Sequence, residues 1–264
     1  MTRQPAFYIP HGAGPCFFME WTRGPADTWD ATAAWLKGMI VALAERPKAI
    51  LIVSGHWEED LFTLGSAAAP PLVFDYYGFP EHTYRLRFDA PGAPELSRRA
   101  RELLTGAGLP AREDPARGWD HGVFVPLKLA LPEADIPVVQ LSLRNDLDPA
   151  AHYAAGRALK PLRAEGVLIV GSGMSWHNMR GFSPAFTERS RRFDAWLTEA
   201  MASPAGREAA VRAWETAPHA REAHPREEHL APLFVAAGAG DGEPGQVAFR
   251  DEVMDVAVSA FRFG

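Results

Sequence analysis

Apolar residues fall into two rhythms along this chain. The unbroken runs Ala49-Ile50-Leu51-Ile52-Val53 and Val167-Leu168-Ile169-Val170 mark strands buried on both faces. Ala6-Phe7-Tyr8-Ile9 and residues 136–143 read the same way, and residues 61–64 and the alternating 84–88 read as shorter strands. Helical spacing governs residues 28–45, where Trp29, Ala33, Leu36, Ile40 and Leu43 share a face and Pro47 ends the pattern. The segments 94–104, 149–164 and 225–237 each open on proline, which suits a first helical turn. Two more helical stretches lie within 184–216, broken near Ser203-Pro204-Ala205-Gly206, and "RGWDHGVFVPLKLAL" is a turn entering an apolar segment. Residues 65–82 form a long Pro-, Gly- and Tyr-rich loop, of a length that usually serves function. Residues 246–263 alternate like two closing strands. Strand and helix alternate through most of the chain, which predicts an α/β fold. The expected architecture is a single domain over 1–264: a central, mostly parallel sheet, helices on both faces, and an antiparallel C-terminal strand pair.

Composition narrows the function. With 27 basic and 33 acidic residues the formal charge is −6, and no basic patch offers itself to nucleic acid. No apolar run approaches the roughly 18 residues of a membrane span. Residues 1–5 lead straight into a strand without a secretory apolar region, so a cytoplasmic location is expected. Cys16 is the sole cysteine, which excludes an intramolecular disulfide and a multi-cysteine zinc site. It lies near His11 but reads as a small buried hydrophobe rather than a nucleophile. "GSGMSW" lacks the lysine and spacing of a phosphate loop, and no G-x-S-x-G elbow is present.

The chemistry lies in the nine histidines. His11, His56 and His177 come at or just past the ends of apolar strands, in "FYIPHG", "LIVSGHW" and "LIVGSGMSWH". Open α/β sheets bind ligands beyond the carboxyl ends of their strands, so these three converge on a shared metal or proton-transfer site. "WDHG" adds His121, with Asp120 as the residue expected to orient its ring. "HPREEH" adds His224 or His229, of which His229 lies deeper in the expected helix. His82 edges a pocket, whereas His152 and His219 read as surface residues. Imidazoles suit zinc, iron, copper or nickel, and three protein ligands with open positions are the catalytic pattern. Glu58, Glu59, Glu227 and Glu228 keep a two-histidine, one-carboxylate iron site open.

In order along the chain, "YIPHGAGP", "LIVSGHWE", "YYGFPEHTYRLRFDAPGAPELS", "RGWDHGVFVPLKLALPEADIPVVQLSL", "GSGMSWHNMR" and "HPREEHLAPLFVAAGA" resemble the signature blocks of the class III (LigB-type) extradiol ring-cleavage dioxygenases. The nearer likeness is to the branch typified by 4,5-DOPA dioxygenase. The resemblance implies one divalent metal ion per chain and a reaction in which dioxygen opens a catechol ring beside its hydroxyls. His11, His56 and His229 match the metal ligands, the third position being glutamate in other branches. His177 matches the acid–base histidine, sometimes counted as a fourth ligand, and His121 a histidine near substrate and dioxygen. Iron(II) is expected for ring cleavage and zinc in the protein as isolated. The implied partners are a small aromatic diol and dioxygen, with room for a homo-oligomer. Trp57, Trp119 and Trp176 adjoin site histidines and are expected to wall off water. The 70–82 loop and Arg180 are placed at the substrate entrance. The rival readings are a zinc hydrolase on the same histidines and a non-enzymatic binding protein of the same fold.

Overall fold

The computed structural model describes residues 2–264. Eight strands form one sheet: β1 (Ala6–Pro10), β2 (Ala49–Glu59), β3 (Phe62–Gly65), β4 (Ala111–Asp114), β5 (Val138–Arg144), β6 (Val167–Gly173), β7 (Gly245–Val253) and β8 (Val256–Phe263). Their spatial order is β4-β3-β5-β2-β6-β1-β8-β7. The central strands β5, β2, β6 and β1 run parallel, and β8 and β7 close one side antiparallel. The helices are α1 (Asp30–Met39), α2 (Pro94–Gly106), α3 (His121–Ala130), α4 (Pro149–Leu159), α5 (Pro161–Ala164), α6 (Thr187–Ala202), α7 (Arg207–Arg212), α8 (Ala220–Ala223) and α9 (Ala231–Ala239).

Alternation along the strands feeds two cores. Ile50, Ile52, Leu168 and Val170 pack with α1 and α3 on one face. Leu51, Val53, Val167 and Ile169 pack with α2, α4, α6 and α9 on the other. Each central strand feeds one core from each of its two faces, which is why those runs lack polar positions. The fold is thus the single α/β domain with closing antiparallel pair that the sequence predicts. Among the described residues no helix is long and apolar enough to cross a membrane.

Several local expectations are corrected. The 84–88 segment is no strand: Glu81–Arg85 is a 3-10 turn, because the alternating residues find no sheet edge to pair with. α1 stops at Met39, well short of Pro47. β2 runs on through His56 to Glu59, with its register against β5 shifting between Val53 and Glu58. The apolar segment after "RGWD" is α3, with Pro126 inside it. The last helix begins at Ala231 with Pro232 in its first turn, so Pro225 and His229 lie ahead of it.

Candidate metal centre

The parallel strands deliver two histidines to one end of the sheet, where a third joins them. His11 follows β1, and its backbone N–H donates to Gly173 at the end of β6 (3.1 Å). His56 sits where β2 loses register with β5. His229 arrives on the turn before α9, and the glycines flanking the strand-end histidines explain how it can. A Cβ on Gly173 would lie 2.1 Å from the His229 carbonyl oxygen, and one on Gly55 would lie 2.9 Å from that of Glu228. Only a bare backbone lets the 228–229 segment settle onto these strands. There the His229 carbonyl accepts from the Tyr8 hydroxyl (2.7 Å) and from Met174 N–H (3.2 Å).

The ring nitrogens converge. His56 Nε2 lies 3.3 Å from His11 Nε2 and 3.1 Å from His229 Nε2. The outer nitrogens are engaged elsewhere: His11 Nδ1–H donates to the Gly12 carbonyl (2.9 Å) and His229 Nδ1–H to Glu228 Oε1 (2.9 Å). Those bonds fix the tautomer that leaves a lone pair on the inner Nε2 of His11 and of His229. The carboxylate of Asp75, 3.6 Å from His56 Nδ1, favours the same tautomer there. Lone pairs facing one another in a buried place are repulsive unless a cation sits among them, and such a set fits a divalent metal. Burial, then the charge of neighbouring imidazoles, holds His11 and His229 well below the usual histidine range. Burial and then His121 bring His56 down to about 3, so all three rings are neutral ligands at neutral pH.

Two more imidazoles flank this trio. His121, the first residue of α3, lies with its ring centre 3.9 Å from that of His56. Asp75, not Asp120, orients it: Asp75 Oδ1 accepts from both its Nδ1–H and its backbone N–H, each at 2.9 Å. Asp120 is fully buried and occupied by Ser54 Oγ–H (2.7 Å), Arg117 (2.8 Å) and Gln140, pinning α3 to the sheet. His177 stacks on His229 at 3.3 Å between ring centres and 16° between planes, with Nδ1 3.3 Å from Glu228 Oε1. It stands beside the three-nitrogen group rather than within it. His11, His56, His121 and His177 all border a cavity of about 580 Å³ whose other walls include Trp21, Trp29, Tyr76, Phe79 and Met179.

The remaining expectations divide. The 70–82 loop does supply cavity wall, through Asp75, Tyr76, Tyr77 and Phe79. The arginine at the cavity is Arg23, not Arg180, and nothing in local sequence marks it. Trp57, Trp119 and Trp176 are core residues: Trp57 lies under Arg117, Trp119 against Phe88, and Trp176 near Phe186. His152 is fully buried rather than exposed, with Nδ1 on the Asp148 carbonyl (2.8 Å) and Nε2 accepting from Arg144 N–H (3.1 Å). His224 is buried apart from the cluster, on the Ser175 carbonyl (3.0 Å). His219 bonds Glu222, and His82 is exposed on a neighbouring cleft. Cys16 is buried, which pushes its thiol up and away from thiolate chemistry. Glu58, Glu59 and Glu227 pair with Arg226, Arg112 and Arg221 and do not reach the trio.

Comparison with known proteins decides the family. The family described as the catalytic LigB subunit of aromatic ring-opening dioxygenase matches residues 5–259. The chain belongs to it. Within that family it falls in the 4,5-DOPA dioxygenase branch of the class III extradiol enzymes. It is 44% identical over 223 residues to a 4,5-DOPA dioxygenase extradiol of Beta vulgaris, covering 83% of this chain and 82% of that protein. A 4,5-DOPA dioxygenase extradiol-like protein of Schizosaccharomyces pombe is 32% identical, over 97% of this chain and 91% of its own. The crystal structure of the uncharacterized protein JW3007 from Escherichia coli K12 superposes with a TM-score of 0.75 at 27% identity, covering 99% of this chain and all of that one.

Proposed function

We propose that this chain is a metal-dependent extradiol dioxygenase that opens the ring of a catechol-type substrate with dioxygen. The observation that carries the reading is the meeting of three imidazole Nε2 atoms beside a cavity walled by aromatic and thioether side chains. His11, His56 and His229 are the residues that would hold one divalent ion. When bound, a redox-active ion supplies Lewis acidity toward the diol and an electron path between ring and dioxygen; iron(II) does both and zinc only the first.

The chain's own groups do the rest. With Nδ1 turned to Glu228, His177 offers Nε2 as the base that takes a phenolic proton and returns it during ring opening. His121, with Nδ1–H on Asp75, carries a lone pair at Nε2 when neutral and donates there only as the imidazolium. Trp21, Tyr76 and Phe79 line the cavity, where their rings would pack against a flat substrate and exclude water. The size of the cavity suits a single aromatic ring with a side chain.

The test is anaerobic loading of metal-stripped protein with iron(II), then oxygen and a panel of catechols. A yellow semialdehyde product that requires iron(II), oxygen and His177 is expected. Ester or amide hydrolysis by the zinc-loaded protein, with no ring cleavage by the iron form, would replace this reading with the zinc hydrolase. Absence of both activities, with catechol binding retained, would leave a binding protein.

A further inference from the structure

We propose that Asp75 and Glu228 form a matched pair of positioning residues. Each ties one metal-binding histidine to one proton-handling histidine, and together they supply the two negative charges that an all-imidazole site denies a divalent cation. The inference rests on the metal-site reading above.

The geometry repeats on both sides of the trio. Asp75 Oδ1 accepts from His121 at 2.9 Å while Oδ2 lies 3.6 Å from His56 Nδ1. Glu228 Oε1 accepts from His229 Nδ1–H at 2.9 Å and lies 3.3 Å from His177 Nδ1. His11 differs, since its outer nitrogen meets only a backbone carbonyl. The other nearby carboxylates are spent on cations. Glu58 takes both nitrogens of Arg226 at 2.5 Å, Glu227 takes Arg221 at 2.5 Å, and Asp120 takes Arg117 at 2.8 Å. Asp75 makes no such ion pair with an arginine or lysine among the described residues, and Glu228 has only Arg226 at 3.6 Å, already clamped by Glu58. Glu228 Oε2 is buried with no hydrogen-bond partner. Both charges are therefore directed at imidazoles.

The physical consequence follows from the donor set. Three neutral imidazoles bring no charge to a dication, and a buried uncompensated charge is costly. A carboxylate on the outer nitrogen fixes the ring, raises the basicity of the inner nitrogen and places a negative charge one ring away. Because each carboxylate also holds His121 or His177, the same side chain that tightens the metal aims the proton-handling ring. Metal affinity and proton transfer are thus joined at two side chains.

The test uses the full chain stripped of metal and titrated with zinc against a competing chelator, with thermal melting of the stripped protein as the fold control. Asp75→Asn and Glu228→Gln keep shape and lose charge; each is expected to weaken zinc about 10–100-fold. The double variant should weaken it more than either. Glu228→Asp, which keeps the charge, should recover part of the loss. In the iron-loaded protein, Glu228→Gln should shift the iron(III)/iron(II) potential upward. If wild-type protein binds one zinc and both single variants bind it within about twofold of wild type, the inference is overturned and the site reading stands. If Glu228→Asp binds as poorly as Glu228→Gln, the charge argument is overturned as well. Wild-type protein that takes up no zinc, or His56→Ala protein that binds it equally well, overturns the site reading and this inference with it.

Discussion

Two groups of histidines in this protein, buried except for the partly buried His56, differ in what their nitrogens meet. His152 and His224 are fully buried, as is His11 within 2%. In His152 both nitrogens are satisfied by backbone groups, so the ring is a bolt between the end of β5 and the start of α4. In His11 and His229 one nitrogen is satisfied, and the inner nitrogens of His11, His56 and His229 face one another. Burial alone therefore says nothing about function. An inner nitrogen left to face other nitrogens does.

That contrast can be broken or sharpened by substitution. The largest effect belongs to the trio: His56→Ala or His229→Ala should abolish stoichiometric zinc binding and lower ring-cleaving activity by more than about a hundredfold. Metal analysis and product absorbance check both. Next comes His177→Ala, which should keep the metal and lose about 10²–10⁴ in kcat, the range for a removed acid–base group. If it loses the metal instead, His177 belongs among the ligands. His152→Ala should do the reverse, leaving zinc affinity unchanged while lowering stability by roughly 1–3 kcal/mol in urea unfolding, because Arg144 N–H loses its acceptor.

The last effect is one of pH. Burial, then the nearby His177, holds His224 at about 3 in the folded chain, against an ordinary value near 6.5 unfolded. Between those values the unfolded state binds the extra proton. Stability contributed by His224 is thus complete above about pH 6.5 and falls as pH drops toward 3, by at most ~1.4 kcal/mol per unit. Metal-free His224→Gln protein should show a shallower loss than metal-free wild type over that window. Equal slopes would mean that the ring is not held neutral.

How much of this the sequence disclosed depends on whether the cause was local. The central strands were legible because burial on both faces forces a continuous apolar run. His11, His56 and His177 were legible because strand ends in such sheets face one crevice. α3 was not recognised as a helix, since a segment buried on all sides has no polar face to reveal its period. β4, "ARED", escaped because it is a short edge strand whose charged side chains are spent on ion pairs such as Arg101–Glu113 and Arg112–Glu59. Asp75 is the telling omission. It lies in an irregular loop and acquires meaning only when tertiary packing lays it against His121, whereas Asp120, the obvious neighbour in sequence, is spent on Arg117, Gln140 and Ser54. Helix geometry does not choose between His224 and His229; family likeness points to His229, and the chain positions it on a turn, held by glycines on two strands.

The central claim is that His11, His56 and His229 bind one ion through imidazole nitrogen. X-ray absorption at the metal edge of protein loaded with one equivalent of zinc tests it most directly. The account predicts a nitrogen shell at about 2.0–2.1 Å with the outer scattering of three imidazole rings, losing one ring in His229→Ala protein. A spectrum with no more than one imidazole, or one unchanged by that substitution, would contradict it.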